Sequence, residues 1–443
     1  MLRTSDHLIE LLGRDGQAVL DLAQLLTDTE AVADRLATKG VEKSLVLSAR
    51  DAVERRRAVR LELDGLREEM NRRSKESGRI IARGGDEAEK IRQELITLKR
   101  DVADAEVRFR EAEQHERQLL LVLPNLPAPE APVGNDESHN VVLRYGGPEA
   151  KPVPGARAHW DVASDLGIFE PERAAKLSGS GFSVLRGDGA RLLRALVQLG
   201  LDLNRDTYEE TVVPHFVRTA TMVGTGHLPK FQDDAYSTVD DLWAVPTGEV
   251  PLTGLHRDEL LDEAQLPLRY MTHTACFRRE AGSAGKDTRG MQRLHEFHKV
   301  ELVRICRPEE VADEFAALLA DAEKTLLALE LPYRVVDLCT GDLTFSSARI
   351  FDLEVYSPGV DKWLEVSSVG DFTDFQARRS NIRYRADNSR PRFACTLNGS
   401  ALATPRVWAA LIEHGQTPDG QVRLPEALWP YMGGEFLRPS PRR

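Results

Sequence analysis

The chain has 443 residues, 41% of them hydrophobic and 29% charged, a balance that fits a globular protein of two or three domains and excludes a disordered or fibrous one. It contains no run of 18 apolar residues, so no spanning helix is expected, and its charged opening, MLRTSDHLIELLGRD, predicts no secretory leader. A net charge of 59 − 71 = −12 excludes a generally basic nucleic-acid binder.

The first predicted elements are two long helices. Leu45, Ala49, Ala52, Arg56, Val59, Leu63, Leu66 and Met70 follow a 4-3-4-3 spacing with Arg56 the one polar intruder, and Ala88, Ile91, Leu95, Leu98, Val102, Ala105, Phe109 and Ala112 repeat it. Gly84 and Gly85 supply the turn between them. A heptad seam on each side of a tight turn predicts an antiparallel coiled-coil hairpin over residues 1–122, an arm about 50–60 Å long. Residues 44–122 hold 18 Lys/Arg against 17 Asp/Glu, which leaves −13 for the rest. Arg72, Arg73, Lys75 and Arg79 gather toward the tip. Such an arm serves either as a dimerisation element or as a grip for an RNA backbone, which needs reach and positive charge; the arm alone does not decide.

Residues 123–156 carry seven prolines and read as a semi-stiff linker with an entry strand. From 157 to 443 short Val/Ile/Tyr/Trp-rich runs alternate with amphipathic helices, as in a mixed α/β domain. The four cysteines (Cys276, Cys306, Cys339, Cys395) lie 30 or more residues apart with no CxxC pair. That spacing argues against a zinc ribbon and fits a reducing compartment, so the cytoplasm is expected.

The densest chemistry lies in 275–303, ACFRREAGSAGKDTRGMQRLHEFHKVELV. Period-two alternation puts Arg278 and Glu280 on one face of an opening strand. By the same rule Arg293, His295, Phe297, Lys299 and Glu301 share a face of the return strand. Between them a glycine-rich loop carries Gly282, Gly285, Lys286, Asp287, Arg289 and Gly290. Charges this dense on a sheet face call for a polyanionic ligand, with an aromatic for a base to stack on.

This stretch resembles motif 2 of the class II aminoacyl-tRNA synthetases, and the string from Phe277 to Glu301 is similar specifically to seryl-tRNA synthetases. WLEVSSVGDFTDFQARR (363–379) and TLNGSALATPR (396–406) resemble that family's acidic strand and motif 3. Tyr208–Pro214 resembles motif 1, MVGTGHLPKF (222–231) the segment after it, and Pro246–Glu249 the serine loop. The closing LPEALWPYMGG (424–434) also fits.

The resemblance implies an α+β protein: a coiled-coil arm that binds serine tRNA, then a catalytic domain on a mainly antiparallel sheet with flanking helices. It implies ATP and serine as substrates, Mg²⁺, a homodimer joined through motif 1, and neither membrane nor DNA as partner. Arg278 and Arg406 would be the catalytic cations. ATP would be held by Arg278, Glu280, Arg293, Leu294, Phe297, Glu365, Val366, Ser367, Ser368 and Arg406, with the metal on Glu365 and Ser368. Serine would meet Thr247, Gly248, Glu249, Arg278, Glu301, Asn398 and Ser400; the tRNA would meet Arg72, Arg73, Lys75 and Arg79. His295 would anchor the loop, since an ionised serine carboxylate needs no general base.

The chain departs from the family pattern at Val369-Gly370-Asp371, at Thr404-Pro405 and at Gly248, and about twenty residues precede the expected start, TDTEAVADRLATKGV. Those departures motivate two alternatives: a specialised or inhibitor-tolerant paralogue serving a biosynthetic pathway, and a tRNA-binding paralogue without catalysis. Selenocysteine tRNA is a further acceptor that the resemblance leaves open.

Overall fold

The computed structural model describes residues 21–151, 153, 155–281, 289–386 and 389–440. The N-terminal extension and Gly282, Gly285, Lys286 and Asp287 lie outside the described residues. The chain divides into two compact units, one up to Pro124 and one from Asn125 onward.

In the first unit, α1 (Lys43–Arg83) and α2 (Asp86–Leu121) form a helical hairpin. Gly84 and Gly85 turn the chain at φ 70° and 96°, angles a side chain resists. At ~1.5 Å per residue the 41 residues of α1 extend about 60 Å. Leu63, Val102 and Ala105 are buried in the seam, with Leu66, Met70 and Phe109 packed against them. Arg56, the polar residue in the heptad, meets Glu116 across the seam. Burial pushes the Glu116 carboxyl up, with the Arg56 hydrogen bond opposing it. Further out, Arg67 pairs with Glu106 and Arg73 with Glu94, both at 2.8 Å. One partner's number rises as the other's falls, as antiparallel helices require.

The second unit is built on eight strands: β1 (Val141–Gly146), β2 (Glu209–Glu210), β3 (Leu268–Phe277), β4 (Glu296–Cys306), β5 (Tyr333–Asp337), β6 (Arg349–Ser357), β7 (Lys362–Asp371) and β8 (Cys395–Ala403). Their order is β1-β5-β6-β7-β8-β4-β3-β2. Every neighbouring pair is antiparallel except β2 with β3. The helices α3 (His159–Asp165), α4 (Asp188–Asp202), α5 (Val311–Ala328), α6 (Phe375–Ser380) and α7 (Thr404–His414) flank it. One large apolar core joins the sheet to α4, α5 and α7, and Trp408 at its centre donates its indole N–H to Gly189 O at 3.1 Å. From Asn125 the proline-rich segment is fastened to this unit: the Asn125 amide donates to Ser346 O (3.0 Å) and Phe372 O (2.9 Å).

The hairpin carrying the chemistry is shorter than the alternation predicted. β3 stops at Phe277 and β4 starts at Glu296, so Arg278, Glu280, Arg293 and His295 stand at the loop base instead of on strands. Glu280 sits at φ 51°, a left-handed turn that ends the pleat. Period-two spacing cannot register such a turn.

Candidate active site

The sheet face formed by β4, β7 and β8, with Ile350 of β6, carries a cleft of about 360 Å³. All the residues expected to touch ATP or serine line it, Gly248 excepted. Gly248 lies just beneath: a Cβ there would come within 2.7 Å of the Thr272 methyl and 3.0 Å of Glu301 Cβ, which accounts for glycine at this position.

One end is a cationic clamp. The Arg278 guanidinium lies 5.1 Å from the Phe297 ring centre, and its Nε donates to Pro246 O at 3.4 Å. Arg293 donates to Glu280 at 2.9 Å. Arg406 reaches in from the first turn of α7, donates to Gln292 O at 3.1 Å and lies 3.6 Å from the Glu365 carboxylate. Pro405 occupies that same first turn, where its missing N–H would have had no helical partner. The loop base is closed by His295: its Nδ1 lies 2.9 Å from Arg278 O and so must carry the proton, while its backbone N–H donates to Gly181 O at 2.7 Å.

The other end is a buried polar floor. Glu301 is 1% exposed and pairs with Lys299. Thr247 donates to Glu301 at 3.1 Å and accepts from the Glu249 backbone N–H at 3.1 Å. Glu249 accepts from the Gln376 amide at 2.6 Å, and Gln376 in turn accepts from Thr396 at 2.7 Å. Burial, then the charge of Glu301, pushes the Glu249 carboxyl up to about 7. Asn398 and Ser400 on β8 complete this end.

On β7, Glu365 and Ser368 present hard oxygen donors toward the clamp, with Val366 and Ser367 beside them. Asp352, across from Ser368 on β6, has a buried Oδ1 with no hydrogen-bond partner. Burial and Glu365 drive its carboxyl well above the ordinary range. An orphaned oxygen beside two donors suits a divalent cation. Among the described residues, however, no three His, Cys, Asp or Glu side chains form a metal cage, so substrate oxygens and water would have to fill the coordination shell. Val369-Gly370-Asp371 continue the same strand; Asp371 is buried and accepts from Thr373 N at 2.7 Å.

Several residues in or behind the cleft carried no role in the sequence. His227 is held by Thr225 at 2.9 Å; burial, then Arg278 and Lys299, pushes its imidazole down to about 3, so it stays neutral. Gln292 enters through its carbonyl, and Gln376 through the chain of hydrogen bonds to Glu249. His227 lies within MVGTGHLPKF, whose resemblance gave the histidine itself no role; a backbone contact such as that of Gln292 leaves no residue-type signal.

A cationic clamp around an aromatic ring lies beside an acidic floor on an antiparallel sheet, and residues 231–415 match the class II tRNA synthetase core domain (G, H, P, S and T). Residues 19–127 match the seryl-tRNA synthetase N-terminal domain. The chain is 49% identical to a serine–tRNA ligase of Gemmatimonas aurantiaca over 88% of its own length and 93% of the relative's. It is 44% identical to that of Thermosynechococcus vestitus over 94% and 98%. Among solved structures, seryl-tRNA synthetase from Pyrococcus horikoshii complexed with ATP superposes with a TM-score of 0.88 at 34% identity, covering 95% of this chain and all of that one. The chain belongs to the serine–tRNA ligase family.

Proposed function

We propose that this protein condenses L-serine with ATP to seryl-adenylate, releasing pyrophosphate, and transfers the seryl group to the 3′ end of serine tRNA. The observation that carries the reading is the single cleft in which a phosphate-suited cationic clamp meets a buried floor of Glu301, Thr247 and Glu249. In this reading Arg278 faces the α-phosphate. As the serine carboxylate oxygen bonds to the α-phosphorus and the bond to pyrophosphate breaks, negative charge grows there, and a fixed cation stabilises it. Glu280 accepts from the adenine amino group, Phe297 stacks on the ring, Leu294 packs against the nucleotide, and Arg293 and Arg406 hold the outer phosphates. Glu365 and Ser368 hold Mg²⁺, which would neutralise phosphate charge. Glu249, Glu301 and the Thr247–Gly248 turn hold the serine ammonium and backbone. Asn398 and Ser400 face its hydroxyl, so that alanine, lacking that group, would leave buried polar atoms bare.

The arm binds the tRNA through Arg72, Arg73, Lys75 and Arg79, and the active form is a cytoplasmic homodimer joined around motif 1. The test is ATP–pyrophosphate exchange with serine, threonine, alanine and cysteine, followed by charging of total tRNA. Exchange with serine and charging of serine tRNA are expected. Exchange without charging would refute the transfer half, and no exchange with any of the four would refute activation.

A further inference from the structure

The return limb of the motif 2 loop, residues 289–292, delivers Arg293 and Leu294 into the cleft, yet it belongs to no strand. Its hold comes from outside the hairpin. His159, at the start of α3 and 1% exposed, lies with Nε2 2.9 Å from the Met291 backbone nitrogen and Nδ1 2.8 Å from a Glu413 carboxylate oxygen. A backbone N–H only donates, so Nε2 must be the acceptor. The ring is therefore the neutral tautomer with its proton on Nδ1, donated to Glu413.

Glu413 is itself fully fixed. One oxygen also accepts from the His159 backbone N–H (3.1 Å), and the other accepts from Ser357 and from Gly359 N–H (3.0 Å). Burial alone would raise this carboxyl, but the hydrogen bonds from His159 and Ser357 hold it below its ordinary value. Gly290 sits at φ 69°, where a Cβ would come 2.2 Å from His159 Nε2, and Arg289 lies 5.1 Å over the Trp160 ring. Glu413 lies at the end of α7, the helix whose first turn carries Arg406, and Arg406 donates to Gln292 O. Two ends of one helix thus hold adjacent residues of one loop limb: Arg406 directly at 292, and Glu413 through His159 at 291.

We propose that the His159–Glu413 pair is a positioning device that presets the motif 2 return limb for ATP. The proposal rests on the nucleotide roles given above to Arg293 and Arg406. A tie that only stabilised the fold would leave ATP recognition untouched when altered. One that sets the limb would instead weaken ATP and spare serine, whose floor lies at the opposite end of the cleft.

Asparagine and glutamine at 159 separate the two halves of the tie. An asparagine amide falls near the Nδ1 position and keeps a donor for Glu413, whereas a glutamine carbonyl falls near Nε2 and keeps an acceptor for Met291. In ATP–pyrophosphate exchange, His159→Asn should raise the KM for ATP about tenfold, the loss of one buried hydrogen bond. The serine KM should stay within about twofold of the unaltered protein, and His159→Gln should recover most of the ATP loss. Hydrogen exchange on the unaltered protein, which needs no variant to fold, should show the Met291 amide protected without ligand. Equal ATP KM values for all three proteins, His159→Gln as impaired as His159→Asn, or an unprotected Met291 amide would each overturn the proposal. Arg293→Ala serves as the control: if it leaves the ATP KM unmoved, the nucleotide reading fails, whereas if only the His159 variants leave it unmoved, the tie alone fails.

Discussion

The two units use charge in opposite ways. Toward the tip of the arm, ion pairs lie at the surface: Arg72 pairs with Glu69 and Glu76, and Arg73 with Glu69 and Glu94. Lys75 stands exposed, with no ion pair among the described residues. Exposed pairs are each worth about 0–1 kcal/mol and weaken with salt, so a polyphosphate backbone can take over Arg72 and Arg73 at little cost. The second unit has surface pairs too, such as Arg157 with Asp165, but it also holds charges in its interior. Arg304 on β4 is 1% exposed and bonds Tyr208, Glu314 and Asp321, and Glu301 is enclosed with Lys299. Such groups cannot rearrange without leaving a bare charge, at a cost of about 3–5 kcal/mol. The arm carries exchangeable charge near its tip, whereas the second unit holds fixed charge in its interior.

The largest break in that division is Arg278→Ala. Serine-dependent pyrophosphate exchange should fall about a thousandfold, since the proposed role of Arg278 is a preorganised charge at the reacting phosphate. The Kd for serine tRNA, measured by filter binding, should stay within about twofold if its contacts lie on the arm as proposed. Loss of both together would merge the two units functionally.

A smaller effect follows from Glu249, whose carboxyl burial and Glu301 raise to about 7. Because the folded value stands above the ordinary carboxylate value, its contribution to stability is complete at acid pH and is lost as pH rises toward 7. Serine binding runs the other way, since only the ionised form pairs with the ammonium. The serine KM should therefore fall by up to about tenfold per pH unit as pH rises toward 7 and then level, and Glu249→Gln should flatten that profile. A serine KM independent of pH between 6 and 8 would separate Glu249 from the substrate.

The mildest test concerns the arm alone. Arg56→Leu leaves Glu116 half-enclosed in the seam without its partner and should cost about 1–3 kcal/mol in urea unfolding of the arm. Adding Glu116→Leu should restore most of it, with exchange activity unchanged throughout.

The arm was the more legible of the units, because a heptad states its seam locally and the two glycines mark the turn. Arg56 read as an intruder only because its partner, Glu116, is 60 residues away. The cleft was legible as a set of residue types, from Arg278 and Phe297 to Glu301. Its detailed geometry was not: both strands end short of the predicted arginines, with Glu280 in a left-handed turn beyond β3, and His227 and Gln376 act through burial and long-range pairing that no spacing encodes. Pro405 was not legible, since a proline is harmless at a helix start and disruptive inside one, and only the structure puts it in the first turn of α7.

The most direct test of the division is one preparation in which Arg72, Arg73 and Arg79 are all replaced by glutamine, assayed for both half-reactions. Pyrophosphate exchange should match the unaltered protein, while the tRNA KM rises and the slope of its logarithm against log salt flattens by about 3. Unchanged charging kinetics, or exchange that falls in step with charging, would contradict the account.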